Sequence, residues 1–228
     1  MKYKSIFVLA GLLALALPAC SLDLGGNPTP VSNAITVPTS ASTNDVLFQD
    51  DFSNSDSGWE TGDYSGDTLS YLNGTYDIYS QSEGSVLWGV AGQNFTDLVL
   101  DVDATQVSGP EDDNNAYGIY CRRTGEDYSD AYAFFISGDG YYSIIKITGG
   151  EFTPLVDWDT SDAINLGDAS NHLKASCVGD ELTFWVNGTQ VADTHDSTYT
   201  SGDIALAAGS METTGTEVQF DNIVVTTP

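Results

Sequence analysis

Residues 171–192, NHLKASCVGDELTFWVNGTQVA, have the pattern of three short strands joined by two tight turns. Apolar residues alternate with polar ones in the first two runs: Leu173, Ala175 and Cys177, then Leu182, Phe184 and Val186. Gly179-Asp180 and Asn187-Gly188 interrupt the alternation, and Asn-Gly is a strong signal for a two-residue hairpin. A period of two buries one face of a sheet and leaves the other free. The free face here carries Lys174 and Trp185.

The same pattern of short strands and turn residues continues over about residues 45–228, which are predicted to form one domain. Further strands are predicted at 46–52, 69–72, 75–79, 86–90, 95–107, 117–123, 131–136, 141–147, 152–158, 204–208 and 217–225. Residues 161–165 are predicted to form one helical turn. No window of about 11 residues sustains a helical period. Many short strands separated by turn signals predict an all-β, two-sheet antiparallel sandwich.

The N-terminus has the features of an export signal. Lys2 and Lys4 precede an apolar stretch at 6–17 that is too short for a comfortable membrane span. Residues 1–19 are therefore predicted to be a lipoprotein signal peptide.

Cys20 closes the sequence Leu-Pro-Ala-Cys, which resembles a bacterial lipobox. It is expected to carry the lipid, and residues 20–44, rich in Pro, Ser, Thr and Asn, are expected to form a flexible tether. Ordinary secretion with cleavage after Ala19 is the alternative. The predicted location is extracytoplasmic, with the protein anchored by lipid to the bacterial membrane or cell surface.

The chain is strongly acidic, with 33 Asp and Glu against 6 Lys and Arg and a formal net charge of -27. This charge argues against nucleic acid, because phosphate contacts need cations. It also argues against adhesion to anionic lipid, so membrane contact is expected through the lipid anchor only. A hydrophobic content of 41% is enough for a packed core. A monomer is expected.

Cys121 and Cys177 remain once Cys20 is assigned to the lipid, and an exported pair predicts a disulfide. Both cysteines fall on the apolar phase of their strands, so they could meet across neighbouring strands or between sheets. Two buried free thiols are the alternative. The sequence contains no Cys-x-x-Cys motif or Cys/His cluster, and zinc is not predicted.

Five segments carry a resemblance to a known group of domains: DDFSNSDSGW at 50–59, YGIYCRR at 117–123, YAFFISGDGYYSIIK at 132–146, NHLKASCVGDELTFWVNG at 171–188 and EVQFDNIVV at 217–225. The chain resembles bacterial jelly-roll domains of the concanavalin A-like lectin/glucanase superfamily, in particular lipoprotein domains related to the 3-keto-disaccharide hydrolase (DUF1080) family. Ala205 departs from the pattern, since related domains often have Gly there. The motifs are turns, core aromatics and cysteines, so they specify the fold better than the function.

Catalytic motifs are not recognisable in the sequence. Glycosidases need two carboxylates, and the strand motif E-x-D-x-x-E of concanavalin-like glucanases is not present. Asp101 and Asp103 are predicted to share the solvated face of a strand with Asp97. His172 and His195 lie in no motif of a Ser or Cys nucleophile. Enzyme activity is left undecided, and the sequence favours a protein that is not an enzyme.

Aromatic residues at outward positions are the strongest binding signal. Sugar rings stack on flat aromatic side chains while polar neighbours bind the hydroxyls. Tyr120, Arg122, Lys174 and Trp185 are predicted to form one carbohydrate-binding patch if their strands are neighbours. The alternative is that both faces are covered, or that Trp185 packs under a loop.

The function predicted from these features is a surface-anchored, non-catalytic carbohydrate-binding or adhesion module whose partner is a polysaccharide or other glycan. A glycoside hydrolase-like enzyme of the 3-keto-disaccharide hydrolase kind is one alternative. A structural or protein-interaction domain without a sugar ligand is the other.

One cofactor, a structural calcium ion, is predicted at Asp50 or Asp51 together with Asp221. The first and last strands of jelly rolls commonly pair. Asp50 shares the phase of Phe52, and Asp221 that of Ile223, so each carboxylate should point toward apolar company, where it is costly unless paired. Calcium with oxygen ligands would relieve both. A bulge that turns the carboxylates outward, or hydrogen bonds to turn amides, are the alternatives.

Overall fold

The computed structural model describes residues 44–125, 129–211 and 215–228. These contain fifteen strands: β1 (Val46–Asp50), β2 (Gly62–Tyr64), β3 (Asp67–Leu72), β4 (Thr75–Ser80), β5 (Ser85–Val90), β6 (Leu98–Ser108), β7 (Asn115–Thr124), β8 (Asp130–Ile136), β9 (Tyr141–Thr148), β10 (Glu151–Thr160), β11 (Ser170–Val178), β12 (Glu181–Val186), β13 (Thr189–His195), β14 (Asp203–Ser210) and β15 (Thr216–Thr226). Every predicted strand is present.

The helical turn predicted at 161–165 is wrong. The segment forms an irregular turn, in which the Ile164 amide donates to the Ser161 carbonyl at 3.2 Å. Across the described ranges, no helix is long and apolar enough to cross a membrane. The predicted signal peptide, Cys20 and the linker up to residue 43 lie outside the described residues.

Two antiparallel sheets make up the fold. The larger has the order β13-β12-β11-β6-β15-β4-β3-β2, with β1 also paired to β15, and the smaller has the order β10-β9-β8-β7-β14. β5 lies beside β14, because the Gly84 amide donates to the Ser210 carbonyl at 2.9 Å and the Ala91 amide to the Ile204 carbonyl at 3.2 Å. The predicted all-β, two-sheet antiparallel jelly-roll sandwich is confirmed.

The stretch 171–192 supplies three consecutive strands of the larger sheet, β11, β12 and β13. Asn187 and Gly188 have φ values of 50° and 80°. This left-handed pair matches the tight hairpin turn that Asn-Gly predicts. Lys174 and Trp185 lie opposite each other in the register of β11 and β12.

The core lies between the sheets, and a disulfide crosses it. Cys121 of β7 and Cys177 of β11 are bonded, with their Cα atoms 7.0 Å apart, and both are fully buried. The predicted disulfide is therefore confirmed. It joins one strand of each sheet, which resolves the choice between neighbouring strands and facing sheets.

A bulge near the end of β7 separates two consecutive arginine side chains. Arg122 has a φ of 53°, and the pairing of β7 with β8 shifts register between Cys121 and Thr124. Arg122 is fully buried and donates to the carboxylate of Asp97 and to four backbone carbonyls, those of Thr96, Cys177, Gly179 and Tyr199, at 2.8–3.1 Å. A bulge of this kind re-aims side chains. As a result, Arg123 reaches the outer face of the smaller sheet.

Candidate functional site

The outer face of the five-stranded sheet is apolar. Its buried residues are small or aromatic: Ala116, Tyr120, Ala131, Ala133, Phe135, Ile145, Ile147, Ala205 and Ala207. Val86, Trp88 and Val90 of β5 pack against this set. Ala205 lies within it and is fully buried, so its methyl group is accommodated.

A groove of about 460 Å³ runs over this face. The floor is formed by Ala116, Phe135 and Ile145 from β7, β8 and β9, and β5 contributes Val86 and Trp88. β10 contributes Phe152, Pro154 and Trp158, and Met211 also lines the space. We call this space the aromatic groove.

Two aromatic side chains of the aromatic groove are unusually open to solvent. Phe152 is 46% exposed and Trp158 is 38% exposed. Large apolar side chains are normally the main contributors to a core, and a concave surface lined by them is typical of a binding site. Both rings come from β10, the edge strand of the smaller sheet.

The aromatic groove adjoins two further depressions. One, of about 490 Å³, shares Trp158 and Met211 with it and is otherwise lined by polar side chains and Tyr141; we call it the polar end. The other, of about 650 Å³, shares Val86 and Trp88 with it and includes Glu60, Tyr64 and Asp67; we call it the far end. The three spaces together present aromatic rings beside hydrogen-bonding groups.

Hydrogen bonds hold the polar end in shape. The Asn115 side chain donates to Gln106 Oε1 at 2.9 Å and accepts from the Gly138 amide at 2.9 Å. Gln106 Nε2 donates in turn to Asp113 Oδ1 at 3.0 Å. These buried bonds fix the surrounding loops, on which Asp112, Asn114 and Asp139 line the surface. The side chains of Asp112, Asn114 and Asp139 offer both hydrogen-bond donors and acceptors to a ligand.

Arg123 holds Trp88 from inside the molecule. Its guanidinium carbon lies 4.3 Å from the Trp88 ring centroid and 4.7 Å from that of Tyr120. Arg123 is only 3% exposed, so these contacts are desolvated, which strengthens a cation–π interaction. Burial raises the pKa of Tyr120, so its hydroxyl stays protonated. The stack fixes the orientation of one wall of the aromatic groove.

The outer face of the nine-stranded sheet is polar instead. His172 lies between two carboxylates, with Nδ1 2.8 Å from Asp103 Oδ1 and Nε2 3.2 Å from Asp101 Oδ1. Burial acts to lower the pKa of His172, but the hydrogen bonds and charges of Asp103 and Asp101 outweigh it and raise that pKa. Asp77, on β4 of the same sheet, is also perturbed. Burial raises the pKa of Asp77 to about 6, and a hydrogen bond from Gln219 opposes this effect only in part.

The predicted carbohydrate patch is not one surface. Lys174 and Trp185 are neighbours on the nine-stranded sheet, with Lys174 Nζ 3.4 Å from Asp101 Oδ2. Tyr120 and Arg122 are on β7 in the other sheet, and both are fully buried. The prediction rests on alternation, which assigns a side chain to a face but does not indicate which strands share a sheet. The bulge also removes Arg122 from the phase of Tyr120.

Asp50 and Asp51, two of the predicted calcium ligands, accept hydrogen bonds from nearby amides. Asp50 Oδ1 accepts a hydrogen bond from the Phe52 amide at 2.8 Å. Asp51 Oδ1 accepts one from the Ser53 amide at 3.1 Å and one from the Ser53 hydroxyl at 2.6 Å. These bonds lower the pKa of Asp51. The alternative of hydrogen bonding to turn amides therefore applies to both residues.

Asp221, the third predicted ligand, lies opposite Asp103 and not toward the core. The register of β15 with β6 shifts between Asp221 and Val224, and Asn222 has a φ of 53°. This bulge places two residues between the inward Phe220 and Ile223, so the expected phase of Asp221 is wrong. In the described parts of the chain, no group of three or more His, Cys, Asp or Glu is arranged to hold a metal. Calcium binding stays a prediction.

The sequence patterns do not single out the residues of the aromatic groove. Trp88, Phe152 and Trp158 all lie in predicted strands, but aromatic residues in strands are more often core than site. One usable signal exists: Phe152 and Trp158 share a phase on a strand that also contains Pro154, and proline is confined to edge strands. Arg123 gives no signal, because only the bulge at Arg122 brings it to this face.

Comparison with known proteins assigns the folded domain to a family. Residues 45–226 match the model of the 3-keto-alpha-glucoside-1,2-lyase-like domain. No curated protein matches the chain in sequence. The predicted resemblance to this family and to concanavalin A-like domains is confirmed for the folded domain.

Solved structures with the same fold include carbohydrate-binding proteins and glucanases. The carbohydrate-binding module CBM66 of Bacillus subtilis superposes with a TM-score of 0.60 at 17% identity, covering 75% of this chain and 96% of that one. The β-glucanase of Bacillus licheniformis gives 0.60 at 13% identity, covering 79% and 97%. The endo-β-1,3-glucanase of Pyrococcus furiosus gives 0.57 at 11% identity, covering 80% and 94%. At these identities the likeness establishes the fold.

Proposed function

We propose that this chain, which belongs to the family of 3-keto-alpha-glucoside-1,2-lyase-like domains, is a carbohydrate-binding module that holds a glycan in the aromatic groove. One observation carries the proposal. Exposed Phe152 and Trp158 line the groove together with Trp88, over an apolar floor and next to the amides and carboxylates of the polar end. Aromatic faces bind the C–H faces of sugars, and a few polar groups fix their orientation.

Trp185 provides a matched comparison for Trp158. Both are partly exposed tryptophans on strands, but Trp185 is on the nine-stranded sheet, beside Lys174, and lines none of the three spaces described above. If any exposed tryptophan contributed to glycan binding regardless of its position, replacing either one would weaken binding to the same extent. A glycan site in the aromatic groove would depend on Trp158 and not on Trp185.

The test is a glycan array followed by calorimetric titration with a bound oligosaccharide. Trp158→Ala should weaken binding by about 30-fold, the loss typical when a central aromatic anchor worth about 2 kcal/mol is removed. Trp185→Ala should leave affinity unchanged. Equal losses in both variants, or none in Trp158→Ala, would contradict the groove as the site.

Glycoside cleavage is the second candidate, and the matching family description favours it. The polar end places Asp112 and Asp139 beside Trp158, and carboxylates are the acid and base groups of glycosidases. Incubation with 3-keto glycosides and chromogenic glycosides checks this function. Turnover that disappears in Asp112→Asn or Asp139→Asn would replace the binding module with an enzyme. Absence of both binding and turnover would favour a structural or protein-interaction domain.

Anchoring at Cys20 is part of the proposed function, because a tethered module would hold glycan at the cell surface. The support is the sequence of the first 20 residues and the acidity of the domain, which does not favour anionic membranes. Cys20→Ser should move the protein from the membrane fraction to the soluble fraction. A wild-type protein without lipid by mass spectrometry would exclude the anchor.

A further inference from the structure

None of the cations in the described part of the chain lines the aromatic groove. The sequence has six Lys and Arg, of which Lys2 and Lys4 precede the described residues. Arg122 is buried and donates hydrogen bonds to four backbone carbonyls. Lys146 Nζ donates to Asp196 Oδ2 at 2.8 Å, and Lys174 pairs with Asp101 on the opposite face of the molecule. Among the described residues, Arg122, Lys146 and Lys174 therefore offer the groove no partner for an acidic ligand.

Arg123 is the remaining cation of the described residues, and it packs against one wall of the groove. It is 3% exposed, and its guanidinium lies over the rings of Trp88 and Tyr120. It is not among the described residues that line the groove or its two ends. Its charge supports the wall from within and is not presented to a ligand.

Carboxylates occupy both ends instead. Asp112 and Asp139 line the polar end, and both are exposed. Glu60 and Asp67 line the far end, where Asp67 is buried and accepts from the amides of Gln81 and Ser82 at 2.7 and 3.0 Å. The middle of the site is aromatic and uncharged. A bound polymer would therefore meet exposed negative charge at the polar end, whereas at the far end Asp67 is buried and Glu60 interacts with the charge of Arg123.

We propose that the site selects glycans without acidic groups, and that Asp112 and Asp139 exclude uronates and sulfated sugars. This inference rests on the proposed function and adds the class of ligand to it. Like charges brought together at an interface cost binding energy, whereas stacking of a sugar on an aromatic ring does not depend on charge. Binding of a neutral glycan should also release no counterions and so vary little with salt.

The test uses an array in which several glycan backbones are printed as matched pairs, one neutral and one anionic. Suitable pairs are hydroxyethyl- and carboxymethyl-cellulose, methyl-esterified and free polygalacturonate, and unsulfated and sulfated galactan. We expect the neutral member to bind at least about tenfold more tightly at low salt, and the gap to narrow toward 1 M NaCl, where the Debye length falls to about 3 Å.

The double variant Asp112→Asn/Asp139→Asn tests the residues. It should reduce the ratio of neutral to anionic affinity within each pair, since asparagine keeps the size of the side chain, removes its charge and replaces one acceptor oxygen by a donor. Asp180→Asn/Asp193→Asn is the control, because it removes the same charge from the turn and edge strand of the other sheet. Thermal melts of both variants verify that they fold.

The outcomes distinguish failure of the charge selection from failure of the proposed glycan binding. Anionic members that bind as tightly as neutral ones would overturn the charge selection and leave glycan binding intact. An equal shift in the two double variants would assign the effect to net charge and overturn the role of Asp112 and Asp139. Binding to no member of any pair would reject the proposed function, and the charge selection with it.

Discussion

The two outer faces of the sandwich differ although both belong to antiparallel sheets. The face of the five-stranded sheet is an apolar floor with tryptophans around it, while that of the nine-stranded sheet carries paired charges such as His172 with Asp101 and Asp103. The difference is visible in their strands. β6 alternates apolar and polar residues, but β8, with DAYAFFI, and β14, with DIALAAGS, are nearly continuous in apolar and small residues.

This contrast shows that a strand buried on both faces can be recognised from its sequence. A strand covered on one side alternates, whereas a strand covered on both sides loses its polar phase. The five-stranded sheet is covered on one side by the core and on the other by residues of β5 that pack against it. A ligand groove can form there because the cover is incomplete between β5 and β10.

The largest expected effect is the loss of stability on removal of the disulfide, which joins the two sheets. Cys121→Ser/Cys177→Ser opens a link that spans 56 residues, and chain entropy then predicts a loss of about 4 kcal/mol in the free energy of unfolding. Urea denaturation with and without reductant measures it. If wild-type stability is unchanged by reductant that demonstrably cleaves the bond, the two sheets do not depend on it.

A smaller effect is expected at Asp77, on the polar face. Burial raises its pKa to about 6 from an ordinary 3.8, so the folded state holds its proton more tightly than the unfolded state. The resulting stability is present in full below pH 3.8 and is lost as pH rises through about 6. Asp77→Asn should therefore stabilise the protein by about 3 kcal/mol at pH 7 and have no effect near pH 3.5. Chemical denaturation at the two pH values decides this, and a gain of equal size at both would refute the ionisation of Asp77 as its cause.

Arg123 should affect the aromatic face as well as overall stability, because its buried charge also interacts with Glu60 and Asp203. Arg123→Met keeps the apolar length of the side chain but removes a cation–π contact worth about 1–2 kcal/mol, so Trp88 should lose its fixed orientation. We expect glycan affinity to fall about tenfold, with a change in near-ultraviolet circular dichroism. Unchanged affinity, with the dichroism altered, would show that the position of Trp88 does not matter for binding.

The smallest expected effect is that of calcium at the edge of the polar face. Asp50 and Asp51 already accept amide hydrogen bonds, and Asp221 lies opposite Asp103, so any ion would add little. Calcium at a few times its dissociation constant should stabilise the protein by about 1 kcal/mol. Thermal melts with EDTA and with added Ca²⁺ measure the shift, and superimposable curves would exclude a stabilising ion.

Much of the fold was readable from local patterns, because each strand and turn is a short-range feature. The Asn187-Gly188 hairpin, the β1–β15 pairing and the apolar phases of Cys121 and Cys177 are all as expected. The candidate site was not readable in the same way. Lys174 and Trp185 were placed together correctly, whereas Tyr120 and Arg122 belong to another sheet and are buried.

The sequence by itself determined that the chain forms a two-sheet β-sandwich with a disulfide, because alternation, hairpin turns and exported cysteines act over a few residues or in pairs. Only the tertiary structure decided which strands share a sheet and where alternation fails. The bulges at Arg122 and Asn222 each shift a run of side chains by one position. Arg123 therefore packs behind Trp88 on the outer face of the smaller sheet, and Asp221 lies on the polar face. Such shifts arise from pairing with distant strands, so the local pattern does not contain them.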